Sequence, residues 1–270
     1  ILENATFSYA LLKGAYLITE IYLEGCRTSN DLDILVEEKN VTALQDILRA
    51  NGFVQGYYSK KEDEIIPATR REIVLSKMNY GETVPFAKII DGDVFYVDIN
   101  FSVDFKPEKE KAIVNKLLSD IVKINYNNTY YYTLEKASFL IHLCCHLYKE
   151  ATTMEWVKEG RDLQLYKFCD IYVYLHDYTE KLYDELYEKI KYLEVEKECF
   201  YALFNASIIY PELGRNRFFL KFVEKIKPKN LVFMKQIVEP KTGKVYQYDL
   251  LFEEWFFLDN KLMCLYEVTE

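Results

Sequence analysis

The segment Asp31-Leu32-Asp33-Ile34-Leu35-Val36 constrains the fold more than any other, because it sets two acids into an apolar run that has no helical face. It follows residues 24–30, which are rich in turn formers, so we predict a loop that leads into a buried strand. Successive side chains of a strand point to opposite faces. Asp31 and Asp33 are therefore predicted to share one face, while the apolar side chains between and after them pack into the core.

A later segment, residues 94–101, repeats this alternation and places Asp98 and Asn100 on its polar side. Two carboxylates held close together raise each other's pKa and are unfavourable unless a cation lies between them. Hard cations such as Mg²⁺ prefer carboxylate oxygens. The pair Asp31 and Asp33 therefore predicts divalent-metal binding, with Asp98 as a third acid in a strand. Taken singly, each acid also fits a simpler interpretation, as the edge of a strand or a side chain that faces water.

The chain changes character near Lys106-Pro107. Helical and strand periods mix before this point, whereas apolar residues recur mainly at helical spacing after it. We predict an α+β protein with a sheet-and-helix domain at 1–106 and a mainly helical domain at 107–270. In the first domain the predicted strands are 9–12, 32–36, one from 53 onward, 72–78, 84–90 and 94–101, and the predicted helices are 15–23 and 41–50. The helices predicted for the second domain are 134–148, 162–175, 181–193 and 197–209.

Composition narrows the classes of partner. Lys and Arg number 34 against 43 Asp and Glu, and the net charge of -9 disfavours long nucleic acid. No apolar run approaches the length of a membrane-spanning helix, so no membrane partner is expected. The six cysteines include no CxxC pair and predict reduced thiols, as in a cytoplasm. Because the sequence begins with Ile1 and not with methionine, the natural protein could have an N-terminal segment that is removed.

Two groups of polar residues in the second half suggest function less strongly. His142 and His146 lie four apart on a predicted helix and could in principle hold zinc. No acid or cysteine accompanies them at a diagnostic spacing, so we expect them to form hydrogen bonds instead. The second group consists of charged residues that we interpret as a solvated helix face without a catalytic role, namely Arg161, Asp162, Lys167 and Asp170.

Three segments together resemble a known family. They are Leu11-Leu12-Lys13-Gly14, the stretch from Gly25-Cys26-Arg27 to the end of the Asp31-Leu32-Asp33 strand, and Asn51-Gly52-Phe53. The sequence is similar to the uncharacterised bacterial nucleotidyltransferases of the DNA polymerase β-like superfamily. The pattern of that family is an LKG turn opening a helix, an arginine shortly before a DxD strand, and a third carboxylate on a later strand. The resemblance implies a polymerase β-like sheet with helices, followed by a mainly helical domain on the acceptor side.

The resemblance also implies an enzyme that depends on a metal ion and a nucleoside triphosphate. Asp31, Asp33 and Asp98 would be its catalytic and metal-binding residues, holding Mg²⁺ or Mn²⁺ against a triphosphate such as ATP. Lys13-Gly14 and Arg27 would contact the nucleotide phosphates. A nucleoside monophosphate would pass to a hydroxyl of a small molecule, a peptide or a protein, with release of pyrophosphate.

Two other functions stay open at this point. Related nucleotidyltransferases serve as toxins in toxin–antitoxin or phage-defence pairs, and a neighbouring antitoxin gene would identify such a role. The alternative outside enzymes is a module that binds nucleotide without transferring it. The three acids argue against this alternative, because a module without catalysis has no chemical reason to keep them around one cleft.

Overall fold

The computed structural model of the chain describes residues 1–3, 5–80, 82–103 and 107–268, and for residues 78–80 and 107–112 the backbone only. The strands of the described ranges are β1 Tyr9–Leu11, β2 Asp31–Val36, β3 Val54–Ser59, β4 Glu64–Pro67, β5 Phe86–Ile90, β6 Asp93–Asn100, β7 Ile121–Tyr126, β8 Thr129–Leu134, β9 Gln236–Glu239, β10 Lys244–Tyr248 and β11 Leu265–Glu267. The α-helices are α1 Gly14–Tyr16, α2 Val41–Ala50, α3 Arg70–Tyr80, α4 Pro107–Leu118, α5 Lys136–Ala151, α6 Met154–Lys158, α7 Leu165–Leu175, α8 Glu180–Leu193, α9 Glu196–Ile209, α10 Arg217–Ile226 and α11 Phe252–Phe256. A π-helical segment, Leu17–Ile21, continues α1, and short 3-10 turns lie at Glu38–Asn40, Leu213–Arg215, Val232–Lys235 and Lys261–Cys264.

The chain divides into two compact units, Ile1–Glu135 and Lys136–Glu270. The first contains a six-stranded sheet in the order β1-β2-β6-β5-β3-β4. Strands β2 and β6, the second and third in this order, run parallel, and every other neighbouring pair of this sheet is antiparallel. The second unit is mainly helical. The predicted α+β class is therefore confirmed.

One face of the sheet packs against α2. Val41, Leu44 and Leu48 of this helix are buried with Ile34 and Val36 of β2 in a single hydrophobic cluster. The helix ends as its sequence predicts, at Asn51-Gly52, where Gly52 has φ 81°. Because alternate side chains of β2 point into this cluster, the side chains between them are turned to the opposite face of the sheet.

The hairpin of β7 and β8 belongs to the first unit. Its residue Thr133 donates a hydrogen bond to the carbonyl of Leu11 at 2.7 Å, and Tyr131 is part of the hydrophobic cluster under the sheet. These contacts join the hairpin to β1. The domain boundary proposed after residue 106 placed this hairpin in the second domain, and residue 106 itself lies outside the described ranges.

The strand predicted at 72–78 is wrong, since this segment is the helix α3. Its β-branched residues suggested a strand, but Thr69 and Glu72 form a capping box that starts a helix. The Glu72 carboxylate accepts from the backbone N–H of Thr69 at 2.7 Å, and the backbone N–H of Glu72 donates to the Thr69 hydroxyl at 3.3 Å. This reciprocal pairing satisfies amide groups that a helix start otherwise leaves without partners.

The second unit confirms the helices predicted in its sequence, at α5, α7, α8 and α9. Its small sheet, in the order β11-β10-β9, was not predicted. All six cysteines are free thiols. No helix in the described ranges combines the length and hydrophobicity that crossing a membrane requires.

Of the four charged residues that we expected on a solvated face, Arg161 is exposed, whereas Asp162, Lys167 and Asp170 are buried. Asp162 is fully buried, and both of its carboxylate oxygens lie 2.9 Å from the Lys261 ammonium. Lys167 is buried and donates to Glu150. Because their partners come from distant parts of the chain, local charge spacing could not reveal this burial.

Candidate active site

The parallel pairing of β2 and β6 brings the predicted carboxylates together. Asp33 is the direct neighbour of Asp98 across the two strands, and Asp31 is the neighbour of Tyr96. Paired residues of adjacent strands point to the same face, as do residues two apart on one strand. The three acids therefore share the sheet face opposite α2, as the alternation of polar and apolar residues predicts.

Asp33 is the most deeply buried of these acids, with 3% of its surface exposed. Its oxygen Oδ1 accepts from the Lys13 ammonium at 2.7 Å and from the Asn100 side-chain amide at 3.2 Å. Lys13 reaches it because the backbone N–H of Leu12 donates to the carbonyl of Asp33 at 3.0 Å, which fixes the end of β1 against β2. The buried charge of Asp33 is thus balanced by a cation and a polar hydrogen in this conformation.

Asp31 stands at the exposed start of β2. Its oxygen Oδ1 accepts from the Ser29 hydroxyl at 3.2 Å. Desolvation by the surrounding protein atoms and the charge of Asp33 raise the pKa of Asp31, whereas Lys13, the Ser29 hydrogen bond and Arg27 act in the opposite direction. Arg27 therefore lies where its charge reaches this carboxylate.

Asp98 is half-buried and lies beside other acids. Burial, with the charges of Asp33, Asp31 and Glu82, raises its pKa to about 7, and only Lys13 opposes this effect. A carboxylate with a pKa near neutrality can take up and give back a proton under ordinary conditions. The site thus gathers acids whose repulsion a cation would relieve.

Gly14 has a packing role that its sequence context did not show. A Cβ atom at this position would lie 2.1 Å from Ser29 Oγ and 2.5 Å from Ser29 Cβ. Glycine therefore lets the loop before β2 approach the start of α1, and Ser29 in turn holds Asp31. The structure brings each predicted phosphate contact, Lys13, Gly14 and Arg27, close to the carboxylates or to the loop that positions them, and their contacts with nucleotide stay predictions.

Three site residues were missed as functional candidates. Ser29 and Asn100 position Asp31 and Asp33, and Glu82 adds negative charge next to Asp98. Asn100 was recognisable from its place on the polar side of its strand. Ser29 and Glu82 carried no such signal, because their proximity depends on a loop approach and on a bridge between Glu82 and Asn100.

The donor chemistry of the three acids fits a hard divalent cation, since all three are carboxylates on one face of the sheet. Their side chains do not converge on one point in this conformation. Within the described residues, no three His, Cys, Asp or Glu side chains are arranged to hold a metal ion. A shared cation therefore requires rotation of these side chains.

The two histidines of α5 form no zinc site with other residues of the described ranges. Their rings stack with centroids 6.1 Å apart, and His146 Nε2 lies 3.4 Å from Glu150 Oε1. The polar contact of His146 is thus made within its own helix.

The mixed sheet, whose parallel strands β2 and β6 carry acids on one face, and the mainly helical second unit are consistent with a nucleotidyltransferase fold. The profile of a family described as uncharacterised nucleotidyltransferases matches residues 1–211, and the chain belongs to this family. The resemblance deduced from the sequence is thereby confirmed. A comparison with curated proteins found no match.

The close approach of Gly14 to Ser29 leads to a testable expectation. Gly14→Ala should lower the free energy of unfolding by about 1–3 kcal/mol, because the added methyl group overlaps Ser29 Cβ. Urea denaturation measures this change. The double variant Gly14→Ala/Ser29→Gly should regain most of the loss, because it removes the overlapping atoms.

Gly214→Ala provides the matched control for this substitution. A Cβ at Gly214 meets no atom within 4 Å, and like Gly14 this residue has no left-handed backbone conformation. Its free energy of unfolding should change by less than about 0.5 kcal/mol. Equal stability of the Gly14 and Gly214 variants would show that the loop around Ser29 can move to accept the methyl group without loss of stability.

Proposed function

We propose that this chain transfers a nucleoside monophosphate from a nucleoside triphosphate to a hydroxyl of a small molecule, a peptide or a protein, in a reaction that requires Mg²⁺ or Mn²⁺. The observation that carries the proposal is the register of β2 and β6, which sets Asp33 beside Asp98 with Asp31 two residues earlier on the same face. Membership in a nucleotidyltransferase family supports the reaction class.

In the proposed reaction Asp31 and Asp33 hold the metal that accompanies the triphosphate, and Asp98 completes the site on the acceptor side. The bound cation supplies Lewis acidity and neutralises phosphate charge. Lys13 and Arg27 provide positive charge for the departing pyrophosphate. The positive charges of both residues act on Asp31, which supports this role.

Asp98 is the proposed acceptor of the proton. The acceptor hydroxyl oxygen forms a bond to the α-phosphorus, its proton moves to the Asp98 carboxylate, and the bond from the α-phosphorus to the bridging oxygen breaks with pyrophosphate as leaving group. Without metal, burial and the neighbouring acids raise the pKa of Asp98 to about 7; a bound cation would lower it, so the carboxylate would be ionised near neutral pH and able to accept the proton.

Thermal unfolding in the presence of ATP, GTP, CTP or UTP, each with and without Mg²⁺, tests the proposal. At a nucleotide concentration of 100 times its Kd, binding should stabilise the folded state by about 2.7 kcal/mol, and only with Mg²⁺. Pyrophosphate release with candidate hydroxyl acceptors then tests transfer. Stabilisation without any release across acceptor classes would favour the module that binds without transfer, and no stabilisation by any nucleotide would contradict the proposal.

A further inference from the structure

Lys13 occupies the position where the carboxylate cluster needs a positive charge. Its Nζ lies 2.7 Å from Asp33 Oδ1, with the two side chains 19% and 4% exposed. A carboxylate removed from water to this degree must be neutralised by a partner. Lys13 is that partner in this conformation, and its charge also acts on Asp31 and Asp98.

The backbone directs Lys13 towards the cluster. Lys13 has φ 39° and ψ -113°, in a region that residues with a Cβ rarely adopt. Two hydrogen bonds hold it there: Leu12 N–H to the Asp33 carbonyl at 3.0 Å, and Leu17 N–H to the Lys13 carbonyl at 2.9 Å. A strained conformation held on both sides indicates that the direction of this side chain is built into the loop.

The contacts of Asp33 leave room for an exchange of cations. Lys13 and Asn100 both donate to oxygen Oδ1, and in the described part of the chain no donor contacts Oδ2. The lysine ammonium is a point charge on a flexible stem, so it can leave a carboxylate and follow a new negative charge nearby. Asn100 would keep Asp33 oriented during such a move.

We propose that Lys13 is an internal counter-ion, which competes with free divalent metal for Asp33 and moves to the triphosphate when metal and nucleotide bind together. This inference rests on the proposed function, because it assumes that the acids bind metal. Free metal at Asp33 must bind against the repulsion of the ammonium, and it brings no negative charge to which the ammonium can move. A metal–triphosphate complex brings phosphate oxygens that take over the ammonium, so the site favours the complex over the bare ion.

Titration with Mn²⁺, followed by the electron paramagnetic resonance of the free ion, tests the competition. Lys13→Met should bind Mn²⁺ alone at least about tenfold more tightly than the unchanged protein, which corresponds to about 1.4 kcal/mol. Lys13→Arg keeps the charge and should bind Mn²⁺ as weakly as the unchanged protein. Lys39→Met is the matched control, because Lys39 pairs with Glu37, and its side chain is 71% exposed. It should leave the Mn²⁺ affinity unchanged.

The outcomes separate this inference from the proposed function. Equal Mn²⁺ affinity in Lys13→Met and the unchanged protein, each above background, overturns the competition alone. No Mn²⁺ binding by any of these proteins, with or without a non-hydrolysable triphosphate analogue, overturns the metal site itself.

A second measurement uses the unchanged protein and does not depend on the folding of a variant. The rate at which an amine-acylating reagent modifies Lys13, read by mass spectrometry, should rise when Mg²⁺ is added and fall when the triphosphate analogue follows. A rate that neither Mg²⁺ nor the analogue alters would overturn the exchange.

Discussion

Asp33→Asn is expected to lower nucleotidyl transfer on the order of 10³-fold or more, because it removes the buried carboxylate at the centre of the proposed metal site. The amide keeps the shape of the side chain. Lys13, whose side chain is 19% exposed, can turn towards solvent once its partner is neutral. Pyrophosphate release measures the loss, and circular dichroism should show an unchanged fold.

Asp31→Asn should cause a loss of similar order, since Asp31 and Asp33 form the pair to which the metal role is assigned. Asp93→Asn is the control: it lies on the same strand as Asp98, is exposed, and has the opposite parity, so it points away from the site face. Its activity should match that of the unchanged protein. If both site variants retained full turnover, these acids would have no catalytic part.

Lys261→Met is expected to lower the free energy of unfolding by about 3–5 kcal/mol, because it leaves the fully buried carboxylate of Asp162 without its cation. Chemical denaturation monitored by tryptophan fluorescence measures the change. The double variant Asp162→Leu/Lys261→Met should recover part of the loss, since an apolar pair of similar size needs no neutralisation.

Lys244→Met serves as the matched control for Lys261→Met. Lys244 also forms an ion pair, with Glu267 at 3.0 Å, but the two side chains are 48% and 42% exposed. Surface pairs of this kind contribute less than about 1 kcal/mol. If both lysine variants lose the same small amount of stability, the burial of Asp162 does not increase the contribution of its ion pair to the free energy of unfolding.

The shared face of the site acids could be predicted from the sequence. Alternation in 31–36 and 94–101 places Asp31, Asp33 and Asp98 on polar faces whatever the arrangement of strands. The register that makes Asp33 the neighbour of Asp98 could not be predicted, because nothing local specifies which strands pair or with what offset. The ion pair of Lys13 with Asp33 depends on a different pairing, that of β1 with β2, whose register no local signal specifies either.

The segment at 70–80 is the opposite case. Its local sequence contains a signal for a helix start, but its apolar composition favours a strand. Ile73 and Val74 favour a strand by propensity, whereas Thr69 and Glu72 stand at the spacing of a capping box. Propensity is the weaker signal when a helix start satisfies its own amide groups. The helix α3 follows from this local pairing.

The buried pair of Asp162 with Lys261 crosses the end of the family match at residue 211. A fragment that ends at residue 211 would contain Asp162 but not Lys261. The buried carboxylate of Asp162 would then have no cation to neutralise it. Such a fragment should therefore dissolve poorly, because the segment after residue 211 supplies the cation that the buried carboxylate of Asp162 requires.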